Sequence, residues 1–180
     1  MPHFSLNTLP VSRWRNGGGE TREIVAWPPG AEDFSWRISI ATISQDGDFS
    51  PFPGIDRIIT LLSGDGVTLT SSGWQQQLQT AQPFAFAGED QVYARLSGGA
   101  SQDFNLMTRR ASHRAAMTVV TGATRPAPED AGVAFVLSGS WRAGEMTLQV
   151  NEGIWWHQHG DPLTPQTPDA RLLYAAVSRR

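Results

Sequence analysis

The chain contains no cysteine and no lysine. Without cysteine there is no disulfide framework, no thiolate metal site and no cysteine nucleophile. That absence is compatible with a reducing cytoplasm, the compartment expected here. Without lysine there is no Schiff-base amine and no phosphate-loop cation. All 14 basic residues are arginine, so any anion site must rest on a guanidinium, whose planar fork suits carboxylates. A GC-rich genome would give the same bias with no functional content. Long apolar runs are missing as well: none approaches the ~20 residues of a membrane span. Met1-Pro2-His3-Phe4-Ser5 has no basic segment leading into an apolar one, so no signal peptide is expected. A net charge of −3 and a pI near 5.8 argue against non-specific nucleic-acid binding, which needs a basic surface. Nowhere do apolar residues recur at helical spacing over three turns.

What remains is a succession of short strands with turn signals every 8–12 residues, the pattern of an all-β sandwich or barrel. Phe34 to Ile43 alternates strictly: Phe34, Trp36, Ile38 and Ile40 share one face, and Ser35, Arg37, Ser39 and Ala41 the other. Ile58 to Leu62 reads as a buried strand, and Gly64-Asp65-Gly66 as a tight hairpin returning through Val67-Thr68-Leu69. Further strands are expected over 23–27, 74–79, 83–86, 92–96, 102–108, 113–121, 133–137, 145–150, 154–156 and 171–177. Ser138 to Gly144 reads as a turn and His157 to Pro168 as a loop. Most of the seven tryptophans are assigned to packing.

A weak internal repeat is visible. Leu62-Ser63-Gly64 followed by Val67-Thr68-Leu69 recurs as Leu137-Ser138-Gly139 followed by Met146-Thr147-Leu148. Phe86-Ala87-Gly88 is echoed loosely from Trp156 to Gly160, and Phe104–Thr108 by Leu172–Val177. Two related β-rolls are therefore expected, which would bury their open edges against each other.

Three stretches sharpen this into a family resemblance. They are Trp14-Arg15-Asn16-Gly17-Gly18-Gly19-Glu20-Thr21-Arg22-Glu23-Ile24, then Phe52-Pro53-Gly54-Ile55-Asp56-Arg57 with Leu61 to Leu69, then Asp103-Phe104-Asn105-Leu106-Met107-Thr108-Arg109. In that order they resemble the HutD/Ves family, bacterial bicupins associated with histidine utilisation or with environmental-stress induction. The resemblance spans roughly residues 3–177 and weakens after Arg110. It implies two fused cupin-type β-rolls in a cytoplasmic chain. Residues 1–110 would form an amino-terminal roll with a pocket, and 111–180 a shorter roll packed intimately on it.

The chain departs from metal-dependent cupins. Their first motif carries a pair of histidines two apart and a following glutamate; the corresponding run from Gly47 has Pro51, Phe52, Pro53 and Gly54 instead. The second motif's histidine is also missing between Phe86 and Asn105. The first roll thus lacks the imidazole and carboxylate set that a transition metal needs, and no metal or other cofactor is expected. His157 and His159 could share a metal if they stood on a strand, but they sit in a proline loop with only Glu152 and Asp161 near in sequence. Gly17-Gly18-Gly19 could cradle an anion on bare N–H groups, although a bend beside a pocket explains it as well.

Arg57 is in phase with Ile59 and Leu61, so it points into the mouth of the roll if they face inward. A buried charge must be paired, and Asp56, Glu20 and Asp103 are the candidate partners. Asp103 and Asn105 share a polar face that is either solvent-exposed or cavity-lining. Two function classes stand. In the first, a small carboxylate metabolite binds among Trp14, Asn16, Glu20, Thr21, Phe52, Arg57, Asp103 and Asn105. The family association points to urocanate or formylglutamate, with a role in regulating histidine degradation or a stress response. In the second, the chain is a metal-independent cupin enzyme, an acid/base isomerase or hydrolase with Glu20 or Asp103 as base and Arg57 stabilising developing charge. Neither nucleic acid nor membrane is an expected partner; a homodimer through an open sheet edge is.

Overall fold

Alternation of apolar and polar residues organises nearly the whole backbone into strands. The computed structural model describes every residue from Met1 to Arg180. In chain order the strands are β1 (His3–Ser5), β2 (Val11–Arg13), β3 (Gly19–Trp27), β4 (Trp36–Ile43), β5 (Gly47–Asp48), β6 (Ile55–Ser63), β7 (Val67–Ser71), β8 (Trp74–Gln77) and β9 (Phe84–Ala87). Then follow β10 (Tyr93–Leu96), β11 (Ser101–Arg109), β12 (His113–Val120), β13 (Ala131–Ser138), β14 (Trp141–Ala143), β15 (Met146–Leu148), β16 (Glu152–Trp156), β17 (Leu163–Pro165) and β18 (Arg171–Arg179). One turn of 3-10 helix, Leu6–Thr8, is the only helix. No helix is long and apolar enough to cross a membrane.

The chain divides into two units, Pro10–Ser112 and Met1–Leu9 with His113–Arg180. Strand β1 explains why the first nine residues belong to the latter. It pairs antiparallel with β16, and the Phe4 ring stacks on Phe135 at 6.0 Å. Gly153 leaves the room that Phe4 occupies.

Residues 10–112 form a six-stranded sheet, β2-β3-β4-β11-β6-β9, and a four-stranded one, β5-β10-β7-β8. Ile59, Leu61 and Phe86 from the larger sheet pack with Val67, Leu69 and Ala94 from the smaller, closing one end of the roll. The other unit has a five-stranded sheet, β1-β16-β13-β18-β12, and a three-stranded sheet, β15-β14-β17. Its core is Ala134, Val136, Trp141, Ile154, Trp156, Leu163 and Leu172. The orders β4-β11-β6-β9 and β10-β7-β8 recur as β12-β18-β13-β16 and β17-β14-β15. Even the register irregularity beside Asp103 has its counterpart beside Val136. The chain is an all-β duplication.

Three expectations are corrected at this level. Gly64-Asp65-Gly66 is not a hairpin: β6 pairs with β9 and β11, β7 with β8 and β10. The segment is a corner that carries the chain from one sheet to the other. Gly64 and Gly66 stand at φ +116° and +120° to make it. Residues 138–144 are not all turn, since Trp141–Ala143 is a strand whose fully buried indole anchors the second core. The repeat is consequently misaligned in its second half. By sheet order Val67–Leu69 answers to β14, not to Met146–Leu148, whereas Leu62-Ser63 and Leu137-Ser138 do correspond at the ends of β6 and β13.

The corner is sterically closed to a side chain. A Cβ on Gly64 would lie 2.7 Å from the Ala100 carbonyl oxygen, whereas one on Gly73 would meet nothing within 4 Å. Gly64→Ala should therefore cost about 2 kcal/mol or more and Gly73→Ala less than about 0.5 kcal/mol, read by chemical denaturation.

Candidate functional site

The register of the larger sheet in residues 10–112 sets three ranks of side chains on one face, because residues two apart on a strand point the same way. The first rank is Thr21, Ala41, Asp103 and Leu61; the second Glu23, Ser39, Asn105 and Ile59; the third Arg37, Met107, Arg57 and Phe86. Most of these residues, with Phe49 and Phe52 from the β5–β6 segment and Trp14 above β3, line a cavity of about 720 Å³. That is within the usual size of a small-molecule site.

Arg57 is the centre of this arrangement. It is 8% exposed, and its guanidinium carbon lies 5.2, 5.5 and 5.0 Å from the ring centroids of Phe49, Phe52 and Phe86. Its Nη2 donates to Asn105 Oδ1 at 3.5 Å, the weak limit of a hydrogen bond, and Nε has no partner. None of the three expected carboxylates pairs with it. Asp56 holds Arg110 at 2.7 Å, Glu20 lies 3.7 Å from Arg22, and Asp103 takes only the Ser101 hydroxyl at 3.3 Å. Burial, with repulsion from Arg37, lowers the Arg57 pKa to about 10, so the group stays a cation at neutral pH. The chain thus presents a desolvated cation without a counter-ion, toward a cavity.

Asp103 is the second unusual group. It is fully buried between Ala41 and Leu61, which offer its carboxyl nothing to bond, and Oδ1 has no partner. Burial raises its pKa to about 7, a little offset by the Ser101 hydroxyl.

The glycine-rich block forms the rim. Trp14 N–H donates to the Gly19 carbonyl, and Asn16 Oδ1 accepts from the Gly18 N–H at 2.8 Å. The Trp14 indole N–H donates to Thr21 Oγ1 at 2.8 Å, and a Cβ on Gly19 would lie 2.8 Å from the indole. Glycines let the turn fold the Trp14 ring flat onto β3, so the block builds a wall, not an anion cradle.

Of the residues singled out in the sequence, Trp14, Asn16, Thr21, Phe52, Arg57, Asp103 and Asn105 line the cavity; Glu20 points to the opposite face of β3. Asn16 Oδ1 and the Trp14 indole N–H are spent on the rim itself. Sequence reasoning missed Glu23 and Arg37, joined at 2.8 Å, and Phe49. Glu23 is in phase with Thr21, and Arg37 lies on the polar face already evident in β4, so extending the alternation would have found both.

Cupins commonly hold a metal, but the donor set here does not suit one. No three His, Asp or Glu side chains come together. No histidine lines the cavity, whose inward charges include two guanidiniums, Arg37 and Arg57.

Two rolls of this strand order in one chain define a bicupin. The chain belongs to the HutD family, whose model matches residues 6–174. It is 42% identical to protein Ves of Citrobacter koseri over 99% of this chain and 94% of the relative. It superposes on the structure of HutD from Pseudomonas fluorescens SBW25 with a TM-score of 0.87 and 30% identity, covering 99% and 98% of the two chains. A conserved protein of unknown function from Pseudomonas aeruginosa gives a TM-score of 0.83 and 26% identity, with 98% of each chain covered.

Asp103 makes stability depend on pH. It gives up its proton near pH 4 when unfolded but near 7 when folded, so the folded state holds more protons in that window and loses stability as pH rises through it. Asp103→Asn should flatten this fall. The variant should gain up to about 4 kcal/mol over the wild type between pH 4 and 8, measured by denaturant unfolding at several pH values.

Proposed function

We propose that the chain binds a small carboxylate metabolite in the cavity of residues 10–112, with Arg57 as the group that receives the carboxylate. The observation that carries this reading is the buried guanidinium with no anionic partner, opening onto about 720 Å³. An unpaired buried cation costs several kcal/mol, and a planar carboxylate would offset that cost through paired, charge-assisted hydrogen bonds. Phe49, Phe52 and Trp14 supply apolar walls, and Asn105 a neighbouring amide. Ligand sites combine these same ingredients, many apolar contacts and few convergent polar groups.

The HutD family name points to acids of histidine degradation, and urocanate and formylglutamate both carry the required carboxylate. The related Pseudomonas fluorescens structure bears the label of a formate condition, which adds the smallest carboxylate to the set. The role we assign is binding that regulates flux through histidine degradation, or a stress response, in the cytoplasm. A second reading, a metal-independent acid/base enzyme, is favoured by one observation, the Asp103 carboxyl poised near neutrality. Glu20, its other candidate base, faces away from the cavity.

Calorimetry at pH 6 with urocanate, N-formylglutamate and formate tests the binding reading. At least one acid should bind, and Arg57→Met should weaken it by roughly tenfold to a hundredfold. The same substitution should leave the melting temperature equal or higher, because it removes a desolvated charge. No heat from any acid at millimolar concentration sinks the reading. Proton NMR of the same mixtures decides the enzymatic alternative: new resonances or solvent exchange at carbon would support it.

A further inference from the structure

We propose that the cavity takes up its anionic ligand together with one proton, and that Asp103 is the residue that holds the proton. This rests on the carboxylate reading and adds its regulation.

The argument begins with what faces the cavity. Arg13 comes from β2 and Arg15 from the turn after it; Glu23 comes from β3, Arg37 from β4, Asp48 from β5, Arg57 from β6 and Asp103 from β11. Glu23 is held by Arg37 at 2.8 Å, and Asp48 is exposed. Asp103 alone among these carboxyls is fully buried, and it alone has an oxygen that is both buried and unbonded. No cation pairs with it, and its neighbours across the sheet are Ala41 and Leu61. Arg57 engages Asn105, one rank away, not Asp103.

Burial brings the pKa of this carboxyl up to about 7, so both of its forms are accessible close to neutral pH. An anion docked on Arg57 neutralises the buried cation of the cavity and adds negative charge to a low-dielectric interior. Both effects oppose ionisation of Asp103. The complex therefore keeps Asp103 neutral. A proton passes from solvent to its carboxylate, no bond of the ligand is made or broken, and Oδ1 gains an O–H that can donate to a ligand acceptor. Above neutrality each binding event draws a proton, so affinity falls as pH rises. Such a protein reports the acid and the proton jointly.

The test uses the full chain with N-formylglutamate and formate, neither of which titrates between about pH 5 and 9. Titrations at pH 7.5 in two buffers of low and high ionisation enthalpy count the protons exchanged. The expected count is an uptake of between about half a proton and one per ligand, with affinity about tenfold lower at pH 8 than at pH 6. Asp103→Asn should bind with no proton uptake and no pH slope over that range. Binding with no proton count, with proton release, or with an unchanged slope in the variant overturns the proposal and leaves the carboxylate reading standing. Absence of heat from both acids at pH 6 and millimolar concentration overturns this proposal, and the carboxylate reading falls with it only if urocanate gives none either. If the variant does not fold, the wild-type proton count decides alone.

Discussion

The arrangement depends on a cation that the fold desolvates and does not pair. Transferring a guanidinium from water to a protein interior costs several kcal/mol. The three phenyl faces around Arg57 return about 0.5 to 2 kcal/mol each by cation–π attraction. The Asn105 contact, at 3.5 Å, returns little. A structure optimised for stability alone would place a carboxylate here or an aliphatic side chain. Neither is present, although Glu23, Asp56 and Glu89 all make ion pairs with other arginines in the same unit. Carboxylates are available locally and are used elsewhere, which leaves the Arg57 fork open toward the cavity.

Asp103 shows the converse economy. A buried acid beside a guanidinium would normally form a salt bridge and become permanently ionised, with a depressed pKa. Here the middle rank intervenes. Asn105 stands in the rank between the two, its side-chain oxygen accepting from Arg57 Nη2 and its side-chain N–H donating to the Asp103 backbone carbonyl. Being neutral, the amide separates the two groups without quenching either. The cation stays available for an anion, and the acid stays titratable. The Arg57 guanidinium would repel a divalent ion, and no three His, Asp or Glu donors cluster beside it.

Much of this was legible in the chain, and the reasons for the rest are specific. Arg57 is legible because period two in Ile55–Ser63 leaves it as the single charged residue in phase with Ile59 and Leu61. Its expected partners were wrong because pairing is decided by strand neighbours, and those are set by long-range register that one strand does not encode. Glu20 was misplaced by one position, and one position on a strand exchanges the two faces. The Gly64 corner was mistaken for a hairpin because a glycine pair around one residue suits both, and the choice rests on which sheet the next strand joins. Strands β1 and β17 escaped notice since three-residue strands carry too little alternation to read.

Duplication also shows how the second roll differs at the place that matches Arg57. Matching the two sheets by order and register places Gly132 at the position of Arg57, Leu172 at that of Asp103, Tyr174 at that of Asn105 and Trp156 at that of Phe86. In the first roll, Phe86 lies beneath a cation. In the second, the Trp156 indole occupies the space over Gly132, where a Cβ would come within 2.4 Å of the ring. Leu172 and Trp156 are both buried in a continuous apolar core. The polar ranks of one roll have thus been exchanged for packed aromatic and aliphatic ones in the other. The substitution at the Gly132 position is decisive. A residue there with any side chain would expel the indole, and the indole in turn leaves no room for a charged group. Within one chain, the same strand order therefore supports two solutions: a roll stabilised by a filled interior, and a roll that gives up part of that stability to keep a guanidinium facing open space.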